Sequence, residues 1–114
     1  MNDGEAIALL ESMLRIPSVS SDEGTLAAFL VRRMAELGFE AAMDGAGNAV
    51  GSIGHGPQMV VLLGHMDTVP GAIPVRVTAG RLYGRGAVDA KGPLAAFIAP
   101  LGPAAVGLTV ASKL

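Results

Sequence analysis

Two short stretches of the chain hold residue types able to do chemistry. The first is Gly64-His65-Met66-Asp67, directly after the apolar run Met59-Val60-Val61-Leu62-Leu63. Side chains alternate faces along an extended segment, so His65 and Asp67 point the same way. The imidazole can bind a metal ion, and the carboxylate can orient that imidazole or sit just behind the metal. A core histidine at a strand end, with an aspartate capping a turn, fits the same three residues. The second stretch is Gly84-Arg85-Gly86-Ala87-Val88-Asp89-Ala90-Lys91-Gly92. Here an aspartate sits in a glycine-rich loop where the backbone turns tightly and can approach a ligand closely. Such a carboxylate can reach a hard or borderline cation. An ordinary glycine-rich turn is the plainer reading. A phosphate loop is excluded, because Gly-Lys must be followed by Ser or Thr and Lys91 is followed by Gly92-Pro93. Arg85 and Lys91 are expected to be solvated or paired with nearby carboxylates. His55, in the loop Gly54-His55-Gly56-Pro57, is read as a surface residue.

Other chemistries lack their residues. No cysteine is present, so disulfides, thiolate metal sites and cysteine nucleophiles are excluded. Gly-x-Ser-x-Gly is absent, which leaves a serine nucleophile without support. The net charge is −2, from eight basic and ten acidic residues, with no basic stripe for nucleic acid and no like-charge run for a membrane surface. Met1-Asn2-Asp3-Gly4-Glu5 is acidic and unlike a secretory signal, so a cytoplasmic location is expected. Residues 92–112 carry no charge, which raises the question of a membrane span. Pro93, Pro100 and Pro103, with Gly102 and Gly107, oppose a spanning helix, and a helix followed by a buried strand is expected instead.

The elements that must position these residues follow from periodicity. With 51% hydrophobic residues in 114, one small core is feasible, built from Ala, Val, Leu, Ile and Met because aromatics are only 4%. Ile7, Leu10, Met13 and Leu14 predict a helix over 4–15, ended by Pro17. Ser20 and Glu23 stand at capping-box spacing before a second helix carrying Leu26, Phe29, Leu30, Arg33, Met34 and Leu37, with Gly38 as a left-handed C-cap. Strands are predicted at Phe39–Met43, around the Asp44-Gly45 turn, at Asn48–Ile53, and at Met59–Leu63, the last expected to be buried on both faces. Val75–Thr78 and Arg81–Tyr83 flank Ala79-Gly80 as a hairpin. Pro93 opens a helix to about Ala99, and Val106–Val110 forms one more strand. This order predicts an α/β fold with a mixed sheet covered by helices, in which ligands bind beyond the carboxyl ends of strands. The residues just after Leu63 lie at such a place.

Taken together, the two stretches resemble a known pair of motifs. Residues 60–70, VVLLGHMDTVP, resemble the first metal motif of the aminoacylase, carboxypeptidase G, acetylornithine deacetylase and succinyl-diaminopimelate desuccinylase family. Residues 81–92, RLYGRGAVDAKG, resemble its second. The opening helices and the Arg15-Ile16-Pro17-Ser18-Val19-Ser20 loop are similar too, so the likeness covers roughly residues 5–99. Within that family, VDAKGPLAAF at 88–97 resembles the lysine-biosynthesis branch, which releases lysine or ornithine from a LysW-type amino-group carrier protein and whose members are described as acetyl-lysine or acetylornithine deacetylases.

The resemblance implies a partial dinuclear-zinc exopeptidase-like catalytic domain. His65 would ligate one metal, Asp89 would bridge two, and Asp67 would support His65 and tune its basicity. Two divalent ions, zinc or cobalt, are implied, with a water polarised to attack an amide carbon and a glutamate as general base. The substrate implied is an N-acyl amino acid or an amino-group carrier protein, and the intact enzyme is expected to be a cytoplasmic homodimer. The family's Glu-Glu pair, later ligands and inserted dimerisation domain are not found in residues 1–114, and no acidic residue follows Asp89. The chain therefore reads as the N-terminal part of a catalytic domain, expected to be inactive alone. A non-catalytic domain that keeps the fold without a complete metal site is the second expectation.

Overall fold

The computed structural model describes residues 2–99 and 107–111. Helix α1 spans Asp3–Leu14, where Asn2 accepts a hydrogen bond from the Glu5 backbone N–H and so satisfies one of the free donors of the first turn. Helix α2 spans Gly24–Glu36. Its C-terminal turn is followed by Gly38 at φ 97°, the left-handed conformation that the sequence pattern predicts there. The capping box does not form. Glu23 is itself the N-cap and accepts from the Ser21 N–H, while the Ser20 hydroxyl turns away to a distant partner described below.

Four strands form one sheet: β1 Glu40–Met43, β2 Ala49–Ile53, β3 Met59–Leu63 and β6 Gly107–Ala111, in the order β1-β2-β6-β3. The β1–β2 and β2–β6 pairings are antiparallel and β3–β6 is parallel, so the sheet is mixed as expected. Strands β4 Arg76–Thr78 and β5 Arg81–Tyr83 form a separate hairpin. Ala79 at φ 51° and Gly80 at φ 73° supply the two left-handed residues of its tight turn. Helix α3, Gly92–Ile98, has its proline in the first turn, where the missing N–H costs nothing. The apolar faces of α1, α2 and α3 meet in one core with Met13, Leu26, Leu30, Met34, Met66, Leu94 and Ile98 fully buried. Among the described residues no helix is long and apolar enough to cross a membrane. Part of the uncharged stretch 92–112 lies outside the described residues.

Strand β3 departs from expectation. Read as buried on both faces, it is exposed along most of its length, with Met59 67%, Val60 52%, Val61 50% and Leu63 51% accessible. The reason is its place at the end of the sheet order, where only the Leu62 side meets the core. An apolar run says that a strand wants burial and cannot say whether its neighbours supply it. Long apolar edge strands pair with other chains. The 114-residue chain is therefore expected to self-associate as its concentration rises, and Val61→Lys to shift it towards monomer. Sizing at several concentrations checks this; an unsubstituted chain that stays monomeric throughout contradicts it.

Candidate metal centre

The parallel strand β3 delivers the chain to Gly64 and His65 at its carboxyl end, and Met66 buries its side chain in the core. That anchor fixes the alternation, so His65 and Asp67 both face outwards, as their spacing predicts. The His65 Nδ1 lies 3.1 Å from an Asp67 carboxylate oxygen and 3.1 Å from the Asp67 backbone carbonyl. The second aspartate arrives from the turn 87–91. Gly86 begins it at φ 83°, where a side chain would be strained and a Cβ would press on the Thr68 methyl group at 2.7 Å. The Lys91 N–H then closes the turn by donating to the Gly86 carbonyl at 2.8 Å. Asp89 is thereby held with a carboxylate oxygen 2.9 Å from His65 Nε2.

All three predicted site residues thus come together, in the order Asp67–His65–Asp89, with the imidazole between two carboxylates. They line a cavity of about 750 Å3, together with Ser20, Tyr83 and Arg85. The Asp89 side chain is 86% exposed and His65 42%, so both reach solvent. Arg85 differs from the expected carboxylate partner: its Nε donates to the Gly71 backbone carbonyl. Lys91 is a correction. It was expected to be solvated or paired with a carboxylate, yet it is 1% exposed and its ammonium donates to the carbonyls of Met13 at 3.0 Å and Ile16 at 2.8 Å. The Met13 carbonyl lies in the last turn of α1 and also accepts the Ile16 N–H, and the Ile16 carbonyl lies just beyond the helix, so the C-terminal end of α1 makes this position tolerable for a cation. Ser20 was missed altogether as a site residue. Its hydroxyl donates to the other Asp67 oxygen at 2.6 Å, across 47 residues of sequence.

The donor set suits a cation. Imidazole nitrogen and carboxylate oxygen are the ligands borderline divalent metals take, and two donors on a tetrahedral ion stand roughly 3.3 Å apart when each is about 2.0–2.1 Å from it. The observed 2.9 Å separation needs only a small opening to admit one. With Nδ1 held by Asp67, Nε2 is the nitrogen left to point at the metal. Among the described residues no third His, Cys, Asp or Glu joins these two around one point.

The charges shift one another. Burial opposes protonation of His65, but its hydrogen bonds to the Asp89 carboxylate and to the Asp67 carbonyl, with both carboxylate charges, outweigh it, and the imidazole pKa is raised above its ordinary value. The Ser20 hydroxyl and the neighbouring imidazole hold Asp67 below the usual carboxylate range, against a smaller burial effect. The consequences for the metal-free chain have opposite signs. Stability due to Asp67 is present above the unfolded carboxylate pKa and lost as pH falls through its lower folded value. Stability due to His65 is full below the unfolded imidazole pKa and lost as pH rises through its higher folded value. In the presence of chelator, the urea midpoint is therefore expected to be highest between about pH 4 and 6.5 and to fall above that window. His65→Gln should remove the alkaline fall; a fall that persists in that variant belongs to another group.

Comparison with known proteins agrees with this geometry. Residues 61–102, which contain His65, Asp67 and Asp89, match Peptidase family M20/M25/M40. Over 92 residues the chain is 61% identical to a LysW-lysine hydrolase of Deinococcus radiodurans, covering 80% of this chain and 25% of that protein. It is 49% identical over 94 residues to a putative LysW-lysine/LysW-ornithine hydrolase of Pyrococcus furiosus, covering 82% and 28%. A succinyl-diaminopimelate desuccinylase of Methylorubrum populi is 36% identical over 116 residues, covering 87% and 30%. The chain thus spans between 25% and 30% of the length of these relatives. Its fold is that of solved peptidases: human carnosine dipeptidase 1 superposes with a TM-score of 0.77 at 22% identity, covering 96% of this chain and 32% of that one. A tripeptidase of Staphylococcus aureus gives 0.76 at 21%, covering 98% and 36%. The match to this peptidase family suggests divalent metal ions, the kind of ion that the His65–Asp89 pair suits. The two stretches that carry His65, Asp67 and Asp89, the mixed sheet that presents them and relatives of this identity place the chain in one hydrolase family: it belongs to Peptidase family M20/M25/M40.

Proposed function

We propose that the chain supplies His65 and Asp89 as ligands, and Asp67 as the support of His65, to a site for two divalent ions, zinc or cobalt. The enzyme it serves hydrolyses an amide bond on an amino-acid amino group, releasing lysine or ornithine from an amino-group carrier protein or from an N-acyl group. The observation that carries this reading is the approach of His65 Nε2 and Asp89 to 2.9 Å while Asp67 holds Nδ1. The substrate class rests on relatives that are named LysW-lysine and LysW-ornithine hydrolases.

Each residue of the chain has a defined task in that reading. Asp67 accepts from Nδ1 and fixes the tautomer, so that the Nε2 lone pair faces the cavity. Asp89, widely exposed and with two carboxylate oxygens, would serve as a ligand shared between the ions. A divalent ion held by His65 and Asp89 would supply Lewis acidity towards the amide carbonyl. Val69, Ile73 and Tyr83 line the same cavity and would offer apolar contact to a substrate. Residues 1–114 form the N-terminal part of the catalytic domain, the dimerisation domain lies elsewhere in the protein, and the whole enzyme is a cytoplasmic homodimer.

Calorimetric titration of the purified chain with zinc and with cobalt, alongside an assay for lysine release from an Nα-acyl-lysine, tests the reading. The expected result is cation binding without measurable hydrolysis. No acidic residue follows Asp89 to act as base, and loss of a general base alone costs about 10²–10⁴-fold in rate. A folded chain that binds neither ion overturns the metal assignment and favours a non-catalytic domain. Hydrolysis abolished by Asp89→Ala would show that the chain is active alone.

A further inference from the structure

The connection between α1 and α2 does more than join two helices. Residues 18–20 run beside residues 66–68 as a short parallel pair, bridged at Val19 and Thr68. The Thr68 N–H donates to the Ser18 carbonyl at 2.9 Å, and the Ser20 N–H donates to the Thr68 carbonyl at 3.3 Å. The Ser18 hydroxyl, 1% exposed, donates to the Met66 carbonyl at 2.6 Å. At its other end the connection is pinned by Lys91, whose ammonium takes the Ile16 carbonyl. Ser21 is held at φ 72°, a left-handed conformation that a non-glycine residue adopts at a cost, and such strain persists where the surroundings fix it. The Ser20 side chain is exposed and contributes nothing to the core, yet it is aimed at Asp67 Oδ2 at 2.6 Å.

We infer that Ser20 is a positioning residue of the metal centre: carried on a strap pinned by Lys91 and Ser18, its hydroxyl locks the Asp67 carboxylate, which in turn holds His65 with Nδ1 protonated and Nε2 directed at the metal. The chain of contacts is Ser20 to Asp67 Oδ2, Asp67 Oδ1 to His65 Nδ1, and His65 Nε2 towards Asp89. A carboxylate held by one partner only can rotate about its Cβ–Cγ bond. The Ser20 hydrogen bond takes one oxygen and leaves the other for the imidazole. Outer partners of this kind are worth about 10–100-fold in metal affinity. The inference rests on the proposed metal site for its effect on affinity, and on the metal-free geometry alone for its effect on His65.

The test compares the 114-residue chain with its Ser20→Ala and Ser20→Thr variants in three measurements. These are the His65 ring tautomer by 15N NMR in chelator at pH 9, assigned against His55→Gln, zinc affinity by calorimetry, and the urea midpoint. Ser20→Ala is expected to shift His65 from the Nδ1–H towards the Nε2–H tautomer and to weaken zinc binding by about tenfold, while the urea midpoint falls only by the share of the Asp67 stability that the hydroxyl supplies. Ser20→Thr, which keeps the hydroxyl, restores both. A tautomer ratio unmoved by Ser20→Ala overturns the inference, whatever the affinity does. If the unsubstituted chain binds no zinc while Ser20→Ala still shifts the tautomer, the positioning role stands and the proposed function is what fails.

Discussion

Asp89→Ala should abolish zinc binding by the folded chain, weakening it by about 100-fold or more, beyond the range seen when an outer partner of a ligand is removed. Two donors converge on the cavity, and removing one leaves a single imidazole, which holds a divalent ion weakly in water. Asp89 is 86% exposed, so its loss removes no core contact and the fold should be kept. The electrostatic side effect runs the other way. Removing the Asp89 hydrogen bond and charge lowers the His65 pKa, and reduced competition from the proton favours metal. A loss of binding in this variant therefore reports the missing ligand. His65→Ala should be equally severe, and Asp67→Asn intermediate, because it alters how His65 is held without removing a ligand. His55→Ala, in an exposed loop, is the control and should bind as the unsubstituted chain does. Calorimetry on the four variants checks the order; equal affinity in Asp89→Ala and the unsubstituted chain would remove Asp89 from the site.

Which parts of this site could be read from sequence depended on the range of the contact. The shared face of His65 and Asp67 follows from strand alternation, a local rule, and holds. The turn at Gly86 and the helix start at Pro93 are local as well, and both stand where expected. The approach of Asp89 to His65 spans 24 residues and has no periodic signature; the resemblance to a paired motif implied it, and the structure supplies the distance. Ser20 shows the limit most clearly. Ser20 and Glu23 satisfy the capping-box spacing, and local reasoning assigned the hydroxyl to a helix N–H. A carboxylate 47 residues away offers a charged acceptor and takes it instead. Strand β3 fails for a related reason, since the sheet order that leaves it at an end depends on where β6 inserts. The β6 region itself was foreseen as Val106–Val110 and is observed at Gly107–Ala111, within the usual error of strand ends.

Lys91→Met should destabilise the chain by about 3 kcal/mol, and it is the substitution expected to cost most in folding. Methionine matches the length and apolar stem of lysine, so little packing is lost. What disappears is a pair of charge-assisted hydrogen bonds to the Met13 and Ile16 carbonyls, the second of them at 2.8 Å. Hydrogen bonds from a charged donor are worth about 1.5–3 kcal/mol each, and the loss is moderated at Met13, whose carbonyl keeps the Ile16 N–H as a donor. Against this stands the cost of burying an ammonium, which pushes the Lys91 pKa down and which the methionine avoids. The carbonyls win because Met13 belongs to the last turn of α1 and Ile16 lies just beyond it, where the helix dipole also favours a cation. The pH dependence separates these effects. A lowered lysine pKa means the unfolded chain binds more protons than the folded one between the two values, so the unsubstituted chain gains stability as pH rises towards about 10.4. The neutral amine still donates to both carbonyls, whereas methionine donates to neither. The gap between the two proteins should therefore widen from pH 8 to pH 10, as measured by urea unfolding. A gap that closes over that range would mean that charge alone, and not the pair of hydrogen bonds, makes Lys91 stabilising.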